Sequence, residues 1–298
     1  MLDLAYLLKH NVHIGGVNMN RLSQSDRAKI IGMLVEGNSV ASTCRMSGAS
    51  KNTVLKLLAD VGDACAAYQD RAMRDLKLRR VQADEIWSFV RMKQKNVRNE
   101  NVGVSGYGDV YTWTAIDADT KLIPCWHVGT RGAESAYTFI HDLAGRLSSR
   151  IQLTTDGHKI YVEAVKDAFG TDIDYAMLVK HYSNPSDYRA AEKRYSPSKF
   201  VSADKRRIAG NPDIDEVSTS YVERSNLTMR MNVRRFTRLA NAFSKKLENH
   251  MHAISLYFMH YNFCRVHKTL RVTPAMEASL TDHIWEIEEV IMMSDTNV

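Results

Sequence analysis

The spacing of apolar residues changes once along this chain, near residue 80, and the change predicts two kinds of architecture. Before it, apolar positions recur at three and four residues, the helical period. Ile30, Ile31, Leu34 and Val35 make the inner face of a helix over 24–36, with Ser23 as N-cap and Gly37 as terminator. A short helix over 40–46 and a third over 51–61 follow, the last capped by Ser50 with Val54, Leu57 and Leu58 inward. A tight Gly48-Ala49-Ser50 turn before the third helix predicts a helix-turn-helix, although a plain helical bundle has the same pattern.

After residue 80 the pattern becomes short apolar runs. Strands are predicted at 81–90, 109–117, 122–128, 151–156 and 175–182, with helices over 133–147 and 159–169. Asp117-Ala-Asp-Thr reads as a hairpin turn. The order β-β-β-α-β-α-β predicts an α/β layered domain with five strands, preceded by a small all-α domain. Residues 1–20 read as an N-terminal extension, 21–76 as the helix-turn-helix domain, 77–280 as the α/β domain and 281–298 as a C-terminal tail. A polar insert at 183–218 interrupts the α/β domain.

The helix that follows the insert carries the most distinctive chemistry. Across Ser218–Arg238, Val222, Met229, Val233 and Phe236 form an apolar stripe, and Glu223, Asn226, Arg230 and Arg234 fall on a neighbouring one. From Glu223 to Lys246 the only acid is Glu223, among seven Lys and Arg residues. Ser220 and Glu223 also fit a capping box, which would make the acid a helix-start device.

Composition narrows the class. A content of 44% hydrophobic and 25% charged residues is that of a globular protein, and no apolar run approaches a membrane span. The opening residues lack a signal-peptide pattern, so a cytoplasmic location is expected. Cys44, Cys65, Cys125 and Cys264 form no C-x-x-C pair and are expected as reduced core thiols. The net charge of +6, clustered rather than spread, suits a nucleic-acid partner.

In a helix-turn-helix the start of the last helix enters the major groove, which nominates Lys51, Asn52, Thr53 and Lys56 as DNA-facing. Asp84 lies within the first strand and Asp156 ends the fourth. If these strands are neighbours, both carboxylates and Glu223 can converge on hard divalent ions. Glu85 is directed to the opposite face by strand alternation, and so is a weaker ligand candidate. Asp117 and Asp119 read as turn formers, His158 and His181 as ordinary polar residues, and Trp87 and Trp113 as core. Arg224, Arg230, Arg234 and Arg235 read as phosphate contacts, with a solvated face as the plain alternative.

Asp84 in ADEIWSF, Asp156 in TTDGH and Glu223 in SYVERSN resemble the Asp-Asp-Glu triad of bacterial insertion-sequence transposases, particularly the insertion sequence one group. The closing YNFCRVHKTLRVTP is similar to the segment after the catalytic core of such enzymes. The resemblance implies a ribonuclease-H-like mixed five-stranded sheet with flanking helices. It also implies Asp84, Asp156 and Glu223 as catalytic ligands of two magnesium (or manganese) ions. Double-stranded DNA would be the partner, as terminal inverted repeats and as target, with a homodimer or larger assembly on DNA and no membrane. The activity implied is 3′-end cleavage followed by strand transfer. Two rival readings keep part of the pattern: a helix-turn-helix regulator with a catalytically silent ribonuclease-H-like domain, and a structure-specific nuclease that does not join strands.

Overall fold

The computed structural model describes residues 22–183, 199–237 and 240–296. Three helices lead: α1 (Gln24–Val35), α2 (Val40–Ser47) and α3 (Lys51–Ala72). Ser23, Ser39 and Ser50 cap them, each side chain accepting a backbone N–H of the first turn. Gly48 ends α2 at φ +72°, a conformation that an L side chain adopts only with strain. α3 runs well past residue 61, because Val61, Ala64, Cys65 and Gln69 continue its buried face.

The α/β part follows as β1 (Arg80–Val90), β2 (Gly108–Asp117), β3 (Trp126–Gly129), α4 (Ala133–Ala144), β4 (Gln152–Asp156), α5 (Ile160–Phe169), β5 (Asp174–Tyr182) and β6 (Phe200–Ala209). Four helices then close the described chain: α6 (Ser220–Asn232), α7 (Leu247–Met259), α8 (Pro274–Glu277) and α9 (Ile287–Thr296). The strands form one mixed six-stranded sheet of order β3-β2-β1-β4-β5-β6, an arrangement compatible with a ribonuclease-H-like fold. β1 pairs in parallel with β4, and β4 with β5; the other pairings are antiparallel.

The sheet has six strands rather than the five expected. The sixth, β6, lies within the stretch read as a polar insert; the 184–198 part of that insert, with NPSDY, lies outside the described residues. β6 has side chains exposed on both faces and pairs with β5 through its backbone, so it carries no alternating apolar signal. Lys205, Arg206 and Arg207 suit an edge that has to stay unpaired on its far side. The third strand is shorter than the expected 122–128. Buried Asn262 takes both backbone groups of Ile123, with Oδ1 accepting Ile123 N–H (3.0 Å) and Nδ2 donating to Ile123 O (2.9 Å). Ladder pairing to β2 therefore begins at Trp126.

Helices cover both faces of the sheet. On one side, Phe139, Ile140 and Leu143 of α4 and Tyr161 and Val165 of α5 join Val81, Ala83 and Leu153 in the main core. That core continues into α1 and α3 through Ile30, Ile31, Leu58 and Val61. On the other side, Val222, Met229, Val233 and Phe236 pack with Ile86, Ile116, Ile254 and Phe258. The predicted stripe is thus buried, Val222 and Met229 on α6 and Val233 and Phe236 in the turn after it, because the helix ends at Asn232 and not near Arg238, and burial of side chains of this size contributes roughly 1.5–3 kcal/mol each. Orientation of α6 follows from it. α3 and α7 touch at Gly62, where a Cβ would lie 2.6 Å from that of His252, and Ser255 Oγ donates to Gly62 O (2.8 Å).

The stretch expected as a tail is not one within the described residues. α9 buries Val290 and Ile291 in the main core, and Arg27 donates to Asp295 (2.8–2.9 Å) across from α1. All four cysteines are free thiols. None of the described helices is long and apolar enough to cross a membrane.

Candidate metal centre

Register decides where the acids meet. Parallel pairing of β1 with β4 runs Val81↔Leu153, Gln82↔Thr154 and Ala83↔Thr155, so Asp84 and Asp156 are the next pair in step. Adjacent strands lie about 4.8 Å apart, and both side chains belong to the face that α6 covers. Glu85 belongs to the other face, as alternation requires, yet its carboxylate still reaches the two aspartates. β4 ends at Asp156, so beyond that point no strand beside β1 separates the two faces. One carboxylate oxygen each from Asp84, Glu85 and Asp156 lies within 4.8 Å of the others.

The surroundings of the three acids differ. Asp84 accepts a hydrogen bond from Asn226 Nδ2 of α6 (2.9 Å). Burial, and after it repulsion from Glu85 and Asp156, pushes its pKa up to about 7 against the pull of that bond. Glu85 has a side chain only 1% exposed; Arg131 Nε donates to its Oε2 (3.3 Å), while Oε1 is buried with no hydrogen-bond partner. Burial raises its pKa as well. The hydroxyl of Tyr161 lies beside it, fully buried and likewise without a well-formed bond; burial and the negative charge of Glu85 raise its pKa. Asp156 is more open. Its Oδ1 accepts His158 N–H (2.9 Å), and Arg131 Nη2 approaches Oδ2 at 4.0 Å.

Glu223 is not part of this cluster. It accepts from Thr219 Oγ1 (2.6 Å) and forms an ion pair with Lys180 of β5. It sits one helical turn before Asn226, the residue that touches Asp84, and positions three apart share a helix face. The capping box is not formed. Gln82 Oε1 instead accepts the N–H groups of Tyr221 (2.9 Å) and Val222 (3.1 Å), so a β1 side chain caps α6. Ser220 plays no part in that cap.

The cluster fits a metal ion on its own chemistry. Its donors are carboxylate oxygens, which hard divalent cations prefer. Buried Glu85 Oε1 makes no well-formed hydrogen bond, with the Tyr161 hydroxyl as the donor beside it, and three acids repel one another with Arg131 as the cation between Glu85 and Asp156. A divalent cation relieves both conditions.

The remaining expected residues divide. Lys51, Asn52 and Lys56 are exposed on the opening turns of α3, although Lys56 pairs with Asp60 (2.8 Å). Thr53 is half-buried, its hydroxyl against that of Ser50 (2.9 Å). Arg224 and Arg234 are exposed and Arg230 half-buried. Arg235 turns inward, donating to Ser244 Oγ (3.0 Å), and burial lowers its pKa to about 10. His181 pairs with Asp204 (2.9 Å), and Asp117 organises the turn after β2 by accepting from Thr120 N–H (2.8 Å). Arg131, Lys180 and Gln82 have places at the site that the sequence reading did not give them, and Glu85 a closer one than it gave. Only Gln82 had a usable signal, lying two residues from Asp84 on the same strand face.

No family model matches this chain, and no curated protein matches it. A solved structure, the cryo-EM structure of piggyBac transposase synaptic complex with hairpin DNA, is similar with a TM-score of 0.39 and 11% identity, over 98% of this chain and 74% of that chain.

Proposed function

We propose that this protein is an insertion-sequence DNA transposase, a metal-dependent endonuclease and strand transferase. One observation carries the reading: Asp84 and Asp156 converge in the middle of the sheet, where central strand β4 ends, and Asn226 of the helix that bears Glu223 is bonded to Asp84. Asp84 and Asp156 would hold two magnesium or manganese ions, with Glu85 beside them and Glu223 completing the set from α6. Bound there, the ions supply activation of the attacking oxygen and stabilisation of the leaving oxygen in an in-line phosphoryl transfer.

The chain's own residues do the rest. Asn226 orients Asp84, and Gln82 fixes the start of α6 relative to the strand that carries Asp84. Arg131 steadies Glu85 and lies close enough to Asp156 to limit their repulsion before metal arrives. Lys51, Asn52, Thr53 and Lys56 would meet the major groove of an inverted repeat, as the helix-turn-helix reading of α1–α3 requires. Arg224, Arg230 and Arg234 would meet phosphates. Joining two ends calls for at least a dimer on DNA.

The test is nicking and strand transfer on a labelled duplex carrying the element's end, with magnesium and with chelator. Wild type should cut the 3′ end and join it to a target; Asp84→Asn and Glu223→Gln should bind and do neither. Binding without cutting by wild type would favour the regulator, and cutting without joining the nuclease.

A further inference from the structure

The closing motif, YNFCRVHKTLRVTP, has no part in the carboxylate cluster, and its side chains divide into two jobs. Some are scaffold. Asn262 clamps Ile123, Tyr261 Oη donates to Lys121 O (3.2 Å), and Thr273 caps α8 with Pro274 in its first turn. Between these anchors a closed loop forms, with His267 N–H donating to Val272 O (2.9 Å) and Arg271 N–H to His267 O (2.8 Å).

The others face a cavity of about 250 Å³ beside α6. Arg265, His267 and Lys268 line it from the closing motif, Tyr221 and Arg224 from α6, and Lys121 from the turn before β3. No acid is among its lining residues. Arg224, Arg265 and Lys268 are exposed, and the side chain of each makes no hydrogen bond or ion pair among the described residues. Lys121 is buried, its ammonium over the Tyr221 ring at 3.5 Å and donating to Ala118 O. His267 Nδ1 is buried without a partner. Cations gathered this way repel one another unless an anion joins them.

We propose that this pocket seats a phosphodiester group of the bound DNA strand, an inference that rests on the reading of the protein as DNA-binding. Its volume lies below the roughly 300–1,000 Å³ of pockets that enclose drug-sized ligands, so it suits one backbone unit rather than a base pair. Arginine and lysine give charge-assisted bonds to phosphate oxygens, and the Tyr221 ring offers a face to the adjoining sugar. On α6, Tyr221 and Arg224 lie on a different flank from Glu223 and Asn226, so the helix stands between pocket and acids. A helix is about 10–12 Å wide, which along the duplex axis is about three base pairs at 3.4 Å each. The seated phosphate is therefore a neighbour of the reacting one and not the same group.

The experiment is duplex binding without divalent ions, across 50–200 mM KCl, for wild type and Arg265→Gln/Lys268→Gln. Both positions are exposed and unpaired, and matching thermal midpoints check that folding is intact. The expected result is about a tenfold loss of affinity and a slope of log affinity against log salt that is shallower by about 1–2. Arg224→Gln, from a different element, should move both readings in the same direction. Unchanged affinity and slope in a duplex-binding protein would overturn the pocket and leave DNA binding standing. A wild type that binds no duplex would overturn both. Inorganic phosphate displacing duplex from wild type at matched ionic strength, but not from the double variant, would reassign the pocket to free phosphate and overturn the strand assignment.

Discussion

Two clusters of like charge flank α6, and they are built in opposite ways. The acids Asp84, Glu85 and Asp156 are drawn together by strand register and partly buried, so burial and the neighbouring acids raise the cost of ionising Asp84 and Glu85. The bases around Arg265 and Lys268 stand at an open pocket, where water screens them. Buried His250 marks a third condition. It is fully enclosed but satisfied by Ser88 Oγ (3.1 Å) and Ser244 Oγ (2.9 Å), and burial holds its pKa down to about 3, so it stays neutral. Burial alone does not make a site. What separates the acids from His250 is that three like groups share one place, with Glu85 Oε1 left without a well-formed hydrogen bond.

The largest test of this contrast is Asp84→Asn. It should lower metal-dependent strand cleavage by at least about a hundredfold, since even residues behind metal ligands cost 10- to 100-fold. The same change should raise thermal stability in chelator by roughly 1–3 kcal/mol, because it removes a buried charge from beside two others. Activity assays paired with calorimetry read both signs; a loss of stability would break the comparison. Glu85→Gln is next. Metal affinity, measured by isothermal titration, should fall about tenfold, and the chelated protein should again be more stable.

His250 provides the intermediate effect. Its folded pKa is depressed below the unfolded value of about 6.5, so the stability it contributes is complete above that pH and is lost as pH falls towards 3. Between pH 7 and pH 5 the loss should be about 2 kcal/mol, read as a drop in urea midpoint that His250→Gln flattens. The smallest effect is on the basic side. Arg265→Gln/Lys268→Gln should change thermal stability by no more than about 0.5 kcal/mol, as exposed residues generally do, while weakening DNA binding. A larger loss would mean that the cations serve the fold.

Much of this arrangement was legible beforehand. The apolar stripe through Val222 and Met229, the helix caps at Ser23 and Ser50, and the placing of Asp84 within a strand and Asp156 at a strand end follow from local spacing, and the structure has them there. What escaped depends on contacts distant in sequence. β6 is held by the backbone of β5 and has no apolar alternation to read. Glu85 obeys alternation, but the rule says nothing about a place inside the sheet where the neighbouring strand has ended. The capping box was a sound local pattern that lost to Gln82, a better-placed acceptor from 139 residues earlier. Arg131 reaches Glu85 from a loop whose sequence, Gly129-Thr-Arg-Gly132, gives no sign of it.

The Gln82 cap has a consequence for how the two halves of the site stay aligned. Gln82 and Asp84 are two residues apart on one strand face, a repeat of about 6.8 Å. One grips the first turn of α6 and the other the Asn226 side chain further along the same helix. Strand and helix are therefore pinned at two points, as a ruler is held by two fingers, and α6 cannot pivot about either without breaking the other. A Gln82→Ala protein would keep all the carboxylates yet leave the angle between α6 and β1 unguarded, so a loss of activity larger than its loss of metal affinity would be its signature, since Asp84, Glu85 and Asp156 stay together.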